Sequence, residues 1–113
     1  MAKVEIASSL FLEIQKKFGG EAHRIVDLLE TLEENPWKGK ELCIVGGVVI
    51  KEIRYKNFRF YFFTDGHKLK CLDSSELIDL LIRFVRMSDK NGQQKTIEEI
   101  KNLLKVIGVS GFL

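Results

Sequence analysis

Val48-Val-Ile-Lys-Glu-Ile-Arg-Tyr-Lys-Asn-Phe-Arg-Phe-Tyr-Phe-Phe-Thr-Asp65 decides the fold. Its residues are mostly β-branched or aromatic, and Phe58, Phe60 and Phe62 alternate with Arg59, Tyr61 and Phe63, the period of a strand. Lys56-Asn57 sits between two such runs as a two-residue hairpin loop. That loop fixes the register: Tyr55 faces Phe58, Arg54 faces Arg59, and Glu52 faces Tyr61. The three even-numbered phenylalanines are then expected to pack on helices, with the arginines on the other face.

Outward from this hairpin, Gly46-Gly47 and Asp65-Gly66 punctuate further strands, placed at about 41 to 45 and 67 to 72 to form an antiparallel meander. Residues 76 to 87 read two ways. Asp73-x-x-Glu76 resembles a capping box, but the apolar run from Leu77 to Val85 suits a buried strand, favoured over about 79 to 87. Thr96-x-x-Glu99 is a better capping box, opening a helix with Ile97, Ile100, Leu103, Leu104 and Ile107 on one face and Gly108 at its end.

Before the meander, Val4 to Ile6 forms a short strand, and Ser8 or Ser9 N-caps a helix carrying Leu10, Phe11, Ile14 and Phe18 at helical spacing. Gly19-Gly20 separates it from a second amphipathic helix over Ala22 to Leu32, which Pro36 obliges to stop near Asn35. The fold class is therefore α+β: an N-terminal helical hairpin packed on a twisted, mainly antiparallel sheet of four to five strands, with a C-terminal helix. Its 113 residues suit one domain over 1–113, large enough to bury a core without disulfides. Two cysteines, 45% hydrophobic and 30% charged residues exclude a disulfide-rich or disordered class and fit a cytoplasmic protein. The start of the chain has neither an apolar run nor a signal-peptide pattern, so no membrane association is expected.

The net charge of +2 is unevenly spread. Residues 1–37 carry four basic and seven acidic groups, whereas residues 38–90 carry eleven basic and seven acidic ones. Two arginines placed opposite each other on a sheet repel, which leaves two readings. An anion binds between them, or Glu52 neutralises them and the face is simply solvated. Tyr61 on the same face and the nearby Lys51, Lys56, Lys68 and Lys70 suit a phosphate backbone with stacked bases. Arg83, Arg86 and Lys90 form a second basic group, of which strand alternation lets only one arginine join Arg54 and Arg59; Arg86 is the better candidate. No phosphate-binding glycine loop, metallohydrolase or nucleophile-elbow motif occurs, and His23 and His67 lack cysteine partners for zinc, so no metal or cofactor is expected. Cys43 and Cys71 are expected to behave as small buried hydrophobes.

Several stretches resemble the RelE/ParE toxin superfamily, closest to its HigB-like, phage-derived branch. Leu32-Glu-Glu-Asn-Pro-Trp resembles the helix end that precedes the sheet there. Glu52-Ile-Arg-Tyr-Lys-Asn-Phe-Arg-Phe-Tyr-Phe is similar to its paired strands. Arg83-Phe-Val-Arg-Met-Ser-Asp-Lys, followed by Lys95-Thr-Ile-Glu-Glu-Ile, resembles its last strand, loop and acidic helix. The resemblance spans about Val4 to Leu104. It implies a RelE-like fold and a metal-independent endoribonuclease that cleaves messenger RNA, commonly on the ribosome, and is silenced by a cognate antitoxin. It also implies roles: Arg59 and Arg86 for transition-state charge, Arg54 and Lys56 for phosphate binding, Tyr61 for packing or stacking, and Lys90 as a weaker RNA contact. The scaffold equally hosts ParE-like gyrase inhibitors and members that only bind an antitoxin. Three departures stand out: the low net charge, the insertion Asp73-Ser-Ser-Glu-Leu-Ile-Asp, and the lack of a terminal catalytic Tyr or His.

Overall fold

The computed structural model describes residues 2–73 and 75–108. A five-stranded sheet runs in the order β1-β5-β4-β3-β2, built from β1 (Lys3–Ile6), β2 (Lys40–Val45), β3 (Val48–Tyr55), β4 (Phe58–Asp65) and β5 (Leu81–Asp89). Every neighbouring pair is antiparallel except β1 with β5, where the N-terminal strand returns parallel to the last one. The β3–β4 register is the one the hairpin loop requires, with Arg54 opposite Arg59 and Glu52 opposite Tyr61. Lys56 takes φ +54° in that loop, a left-handed conformation that a two-residue turn demands and a non-glycine residue adopts at a cost.

Helices α1 (Ser8–Phe18) and α2 (Ala22–Glu30) form the hairpin and cover one sheet face. Leu10, Ile14, Ile25 and Leu29 meet Phe60, Phe62 and Phe84, all fully buried. Each such side chain contributes about 1.5–3 kcal/mol through its removal from water. Phe58 joins them at the edge, 5.0 Å edge-to-face from Phe18. On the opposite face lies α4 (Gln93–Ile107), whose Ile100 and Leu104 close a second core over Val48, Ile50, Tyr61, Phe63 and Val85. The central strand β4 is thus buried on both sides, which explains why Phe62-Phe63 stand side by side in its sequence.

Four local expectations are corrected. Residues 67 to 72 are not a strand: Gly66–Cys71 is a short helix, α3. Asp65 accepts a hydrogen bond from the Lys68 N–H and the Gly66 N–H is taken by the Gly47 carbonyl, so Asp65-Gly66 starts a helix rather than a hairpin turn. Neither Ser8 nor Ser9 caps α1; both lie inside its first turn, behind Ala7. Thr96 does not open α4 either. The helix begins at Gln93, the loop before it is tied by Asp89 accepting from the Asn91 and Gly92 N–H groups, and the Thr96 hydroxyl donates back to the Gly92 carbonyl. Finally, Cys71 is exposed and Cys43 only half-buried, with burial raising the Cys43 thiol's pKa. Strand β5 falls close to its expected place, preceded by a 3₁₀ turn over Leu77–Asp79.

Candidate anion-binding face

The face opposite the helical hairpin carries the arginines in rows set by strand register. Arg54, Arg59 and Ser88 lie across β3, β4 and β5 in one row; Glu52, Tyr61 and Arg86 form the next. A β-bulge in β5 between the partners of Tyr61 and Phe62 inserts an extra residue, so Arg83 pairs with Phe63 and Arg86 with Tyr61. Both arginines therefore project to one side. This corrects the expectation from strict alternation that only one of them joins this face. A cavity of about 480 Å³ opens between β5 and α4, lined by Arg83 and Arg86 over Phe63, Leu81, Val85, Leu103 and Ile107.

Glu52 is the centre of the cluster. Its carboxylate lies 3.5 Å from the Arg54 Nη2 and 3.6 Å from the Arg59 Nε, and it is 1% exposed. Neither carboxylate oxygen nor the Arg59 Nε makes a hydrogen bond within the described residues. Charge holds them together, but their hydrogen-bonding capacity is unspent. Arg59 is 7% exposed, whereas the Arg54 side chain is 56% exposed, so one guanidinium belongs to the floor and the other to the surface.

Tyr61 is fully buried beneath α4 and donates to the Ser88 Oγ at 2.7 Å, because the Ser88 hydroxyl hydrogen is committed to the Asp89 carbonyl. Burial raises the phenol's pKa. No base can stack on a ring placed there. Arg86 donates from Nη1 to the Val85 carbonyl, while its Nε lies 3.7 Å from Glu99 of α4. Arg83 lies 3.8 Å from Glu5 of β1. Both arginine pairs are solvent-exposed and loose, the kind that contributes little and yields readily to a better anion.

The remaining candidates are not gathered with these. Lys56 turns toward the helical hairpin, where its ammonium pairs with Glu21 at 3.2 Å and lies over the Tyr55 ring; the hydrogen bond to Glu21 raises its pKa. Lys90 is exposed, in the loop after β5, with no partner among the described residues. His67 lies on α3, its Nδ1 3.6 Å from the Cys71 Sγ. Among the described residues no three His, Cys, Asp or Glu side chains are grouped to hold a metal, and no helix is long and apolar enough to cross a membrane. Sequence reasoning missed two partners: Arg83, hidden by the bulge, and Glu99, whose proximity depends on where α4 docks.

No protein-family model matches the chain, and no curated protein matches it significantly. A solved structure does: the crystal structure of the archaeal RelE–RelB complex from Pyrococcus horikoshii OT3, at 15% identity and a TM-score of 0.58, over 79% of this chain and 94% of that one. The α+β architecture described above, five-stranded sheet with N-terminal hairpin and C-terminal helix, is a RelE-like fold.

Proposed function

We propose that this chain is the toxin of a toxin–antitoxin pair, and that it acts on RNA as a metal-independent endoribonuclease of the HigB-like kind, cytoplasmic and held in check by a cognate antitoxin. The fold likeness to a RelE found in complex with RelB supports the partner. The RNA target rests on one observation: four arginines, Arg54, Arg59, Arg83 and Arg86, share one sheet face, two of them against the buried Glu52.

In this reading Arg54 and Arg86, whose guanidinium groups reach solvent, grip the scissile phosphate and exchange their loose carboxylate contacts for bidentate phosphate ones. A ribose 2′-hydroxyl attacks the phosphorus, the 5′-oxygen of the next nucleotide leaves, and a cyclic phosphate remains. Charge grows on the phosphate oxygens through that step, and fixed guanidinium groups lower the barrier. Arg59 contributes through its field and by holding Glu52. Tyr61 supports the floor by packing and Lys90 extends the basic rim, whereas Lys56, paired with Glu21 on the hairpin side, takes no part. Messenger RNA, on or off the ribosome, is the substrate class.

A second reading has its own observation. Each of the four arginines has a carboxylate within 4 Å, so the face is close to charge balance. That arrangement suits a member of the fold that binds only proteins, an antitoxin or a gyrase-type target. Expression of the intact chain with profiling of cellular RNA, alongside cleavage of purified RNA in excess EDTA, separates the two. RNA cleavage lost in Arg54→Ala and Arg86→Ala supports the nuclease; growth arrest with intact RNA supports the protein-binding reading.

A further inference from the structure

Lys51 is the one charged residue of β3 whose side chain enters the hairpin side of the sheet, and it is 5% exposed. Its Nζ donates to the Trp37 carbonyl at 2.9 Å and lies 5.9 Å from the centre of the Phe62 ring. No carboxylate lies within ion-pair distance of it among the described residues. Glu41, its register partner on β2, is exposed and acts from further away. Burial lowers the pKa of this ammonium, and Glu41 offsets only part of that. An ammonium has three N–H donors, and here one is used. A buried charge without a counter-ion and with two open donors is costly, and an arriving anion relieves that cost.

Lys51 also lines a pocket of about 300 Å³, with Trp37, Ile44, Val49 and Leu69 as its apolar walls and with Lys70 and the acidic Glu41 among its lining residues. The Trp37 indole is held in place because its Nε1 donates to the Leu69 carbonyl at 2.8 Å, spanning from the loop after α2 to helix α3. The volume stands at the lower end of the range for small-molecule sites, about 300–1,000 Å³. Apolar walls with Lys51 and Lys70 set against Glu41, one positive charge in excess, suit a mono-anion on an apolar body, and two open N–H donors match the two oxygens of a carboxylate. A bare phosphate dianion would waste the walls and leave a charge unmatched.

We propose that this pocket binds a small organic carboxylate, its apolar body between Trp37, Ile44 and Leu69 and its carboxylate on the Lys51 Nζ. The site is on the opposite side of the sheet from the arginines, and it stands whether or not the chain cleaves RNA.

Trp37 is the only tryptophan in the chain, so its fluorescence reports on the pocket directly. The intact protein is titrated with benzoate, phenylacetate and octanoate, with benzamide as the uncharged counterpart and inorganic phosphate as the bare anion. Saturable Trp37 shifts are expected for the carboxylates, weaker by at least about tenfold for benzamide and lost in Lys51→Met, since the charge-assisted contact is gone. Ile44→Glu, at an exposed position that leaves the core untouched, is expected to weaken carboxylate binding by repulsion and carries the test if Lys51→Met does not fold. The proposal is overturned by no saturable response to any carboxylate, by equal binding of benzamide, by tighter binding of phosphate than of the carboxylates, or by binding unchanged in either variant.

Discussion

Replacing Glu52 with Gln keeps the shape of the side chain and removes its charge, leaving Arg59 buried at 7% exposure with no counter-ion. Breaking a buried pair in this way costs about 3–5 kcal/mol. The contact at 3.6 Å carries no hydrogen bond, which favours the lower figure, and the exposed Arg54 adds less than about 1 kcal/mol to it. A loss of about 3 kcal/mol is therefore expected. For 113 residues the unfolding entropy is about 0.24 kcal/mol/K, so the midpoint of thermal unfolding falls by about 12 °C. The double variant Glu52→Gln/Arg59→Met removes the orphaned charge as well and is expected to recover about 2 kcal/mol or more. Urea denaturation followed by circular dichroism, completed with the Arg59→Met single variant as a double-mutant cycle, gives the coupling directly. If Glu52→Gln unfolds within about 0.5 kcal/mol of the wild type, or the double variant is no more stable than the single, the buried pair does not organise this face.

Three further outcomes are expected. Gly39→Ala destabilises by more than about 1 kcal/mol, because Gly39 has φ +107° and a Cβ there meets the Glu52 carbonyl at 3.0 Å and the Phe62 ring at 3.1 Å, whereas Gly20→Ala, with nothing within 4 Å, gains up to about 1 kcal/mol; chemical denaturation of both distinguishes them. Asp65→Ala loses about 1 kcal/mol with the cap of α3, and amide exchange is expected to quicken over Gly66–Cys71 while the sheet stays protected. The folded Tyr61 phenol titrates above its unfolded value, so its contribution to stability is complete below a tyrosine's usual pKa of about 10 and is lost as pH rises from there through the folded value. Thermal unfolding between pH 8 and 11 is accordingly expected to fall less steeply in Tyr61→Phe than in the wild type; parallel curves would rule out this linkage.

Signals confined to a few neighbouring residues were readable in the sequence, and those that depend on distant packing were not. The Lys56-Asn57 loop dictates the pairing of Arg54 with Arg59 and Glu52 with Tyr61 because a two-residue turn leaves no freedom of register. The alternation of Phe58, Phe60 and Phe62 likewise assigns the face that receives the helices. Asp65-Gly66 misleads because the same dipeptide serves a hairpin turn and a helix cap, and the hydrogen bonds from Lys68 to Asp65 and from Gly66 to Gly47 mark it as a cap. Thr96 misleads for a related reason: its hydroxyl serves an N-cap or a bond back to the preceding turn equally well. The bulge in β5 leaves no mark in Arg83-Phe-Val-Arg, yet it decides that both arginines share a face. Nor does the apolar stripe of α4 say which sheet face it covers, and that docking is what buries Tyr61 and brings Glu99 to Arg86.

Cleavage of a labelled single-stranded RNA by the purified protein in excess EDTA, compared with folded Arg54→Ala and Arg86→Ala variants, bears most directly on the RNA reading of this face. Wild-type cleavage that leaves a cyclic phosphate end and falls by about 100-fold or more in each variant is the expected result. RNA left intact both in the tube and in the cells whose growth the protein arrests, or cleavage equal in all three proteins, would contradict it.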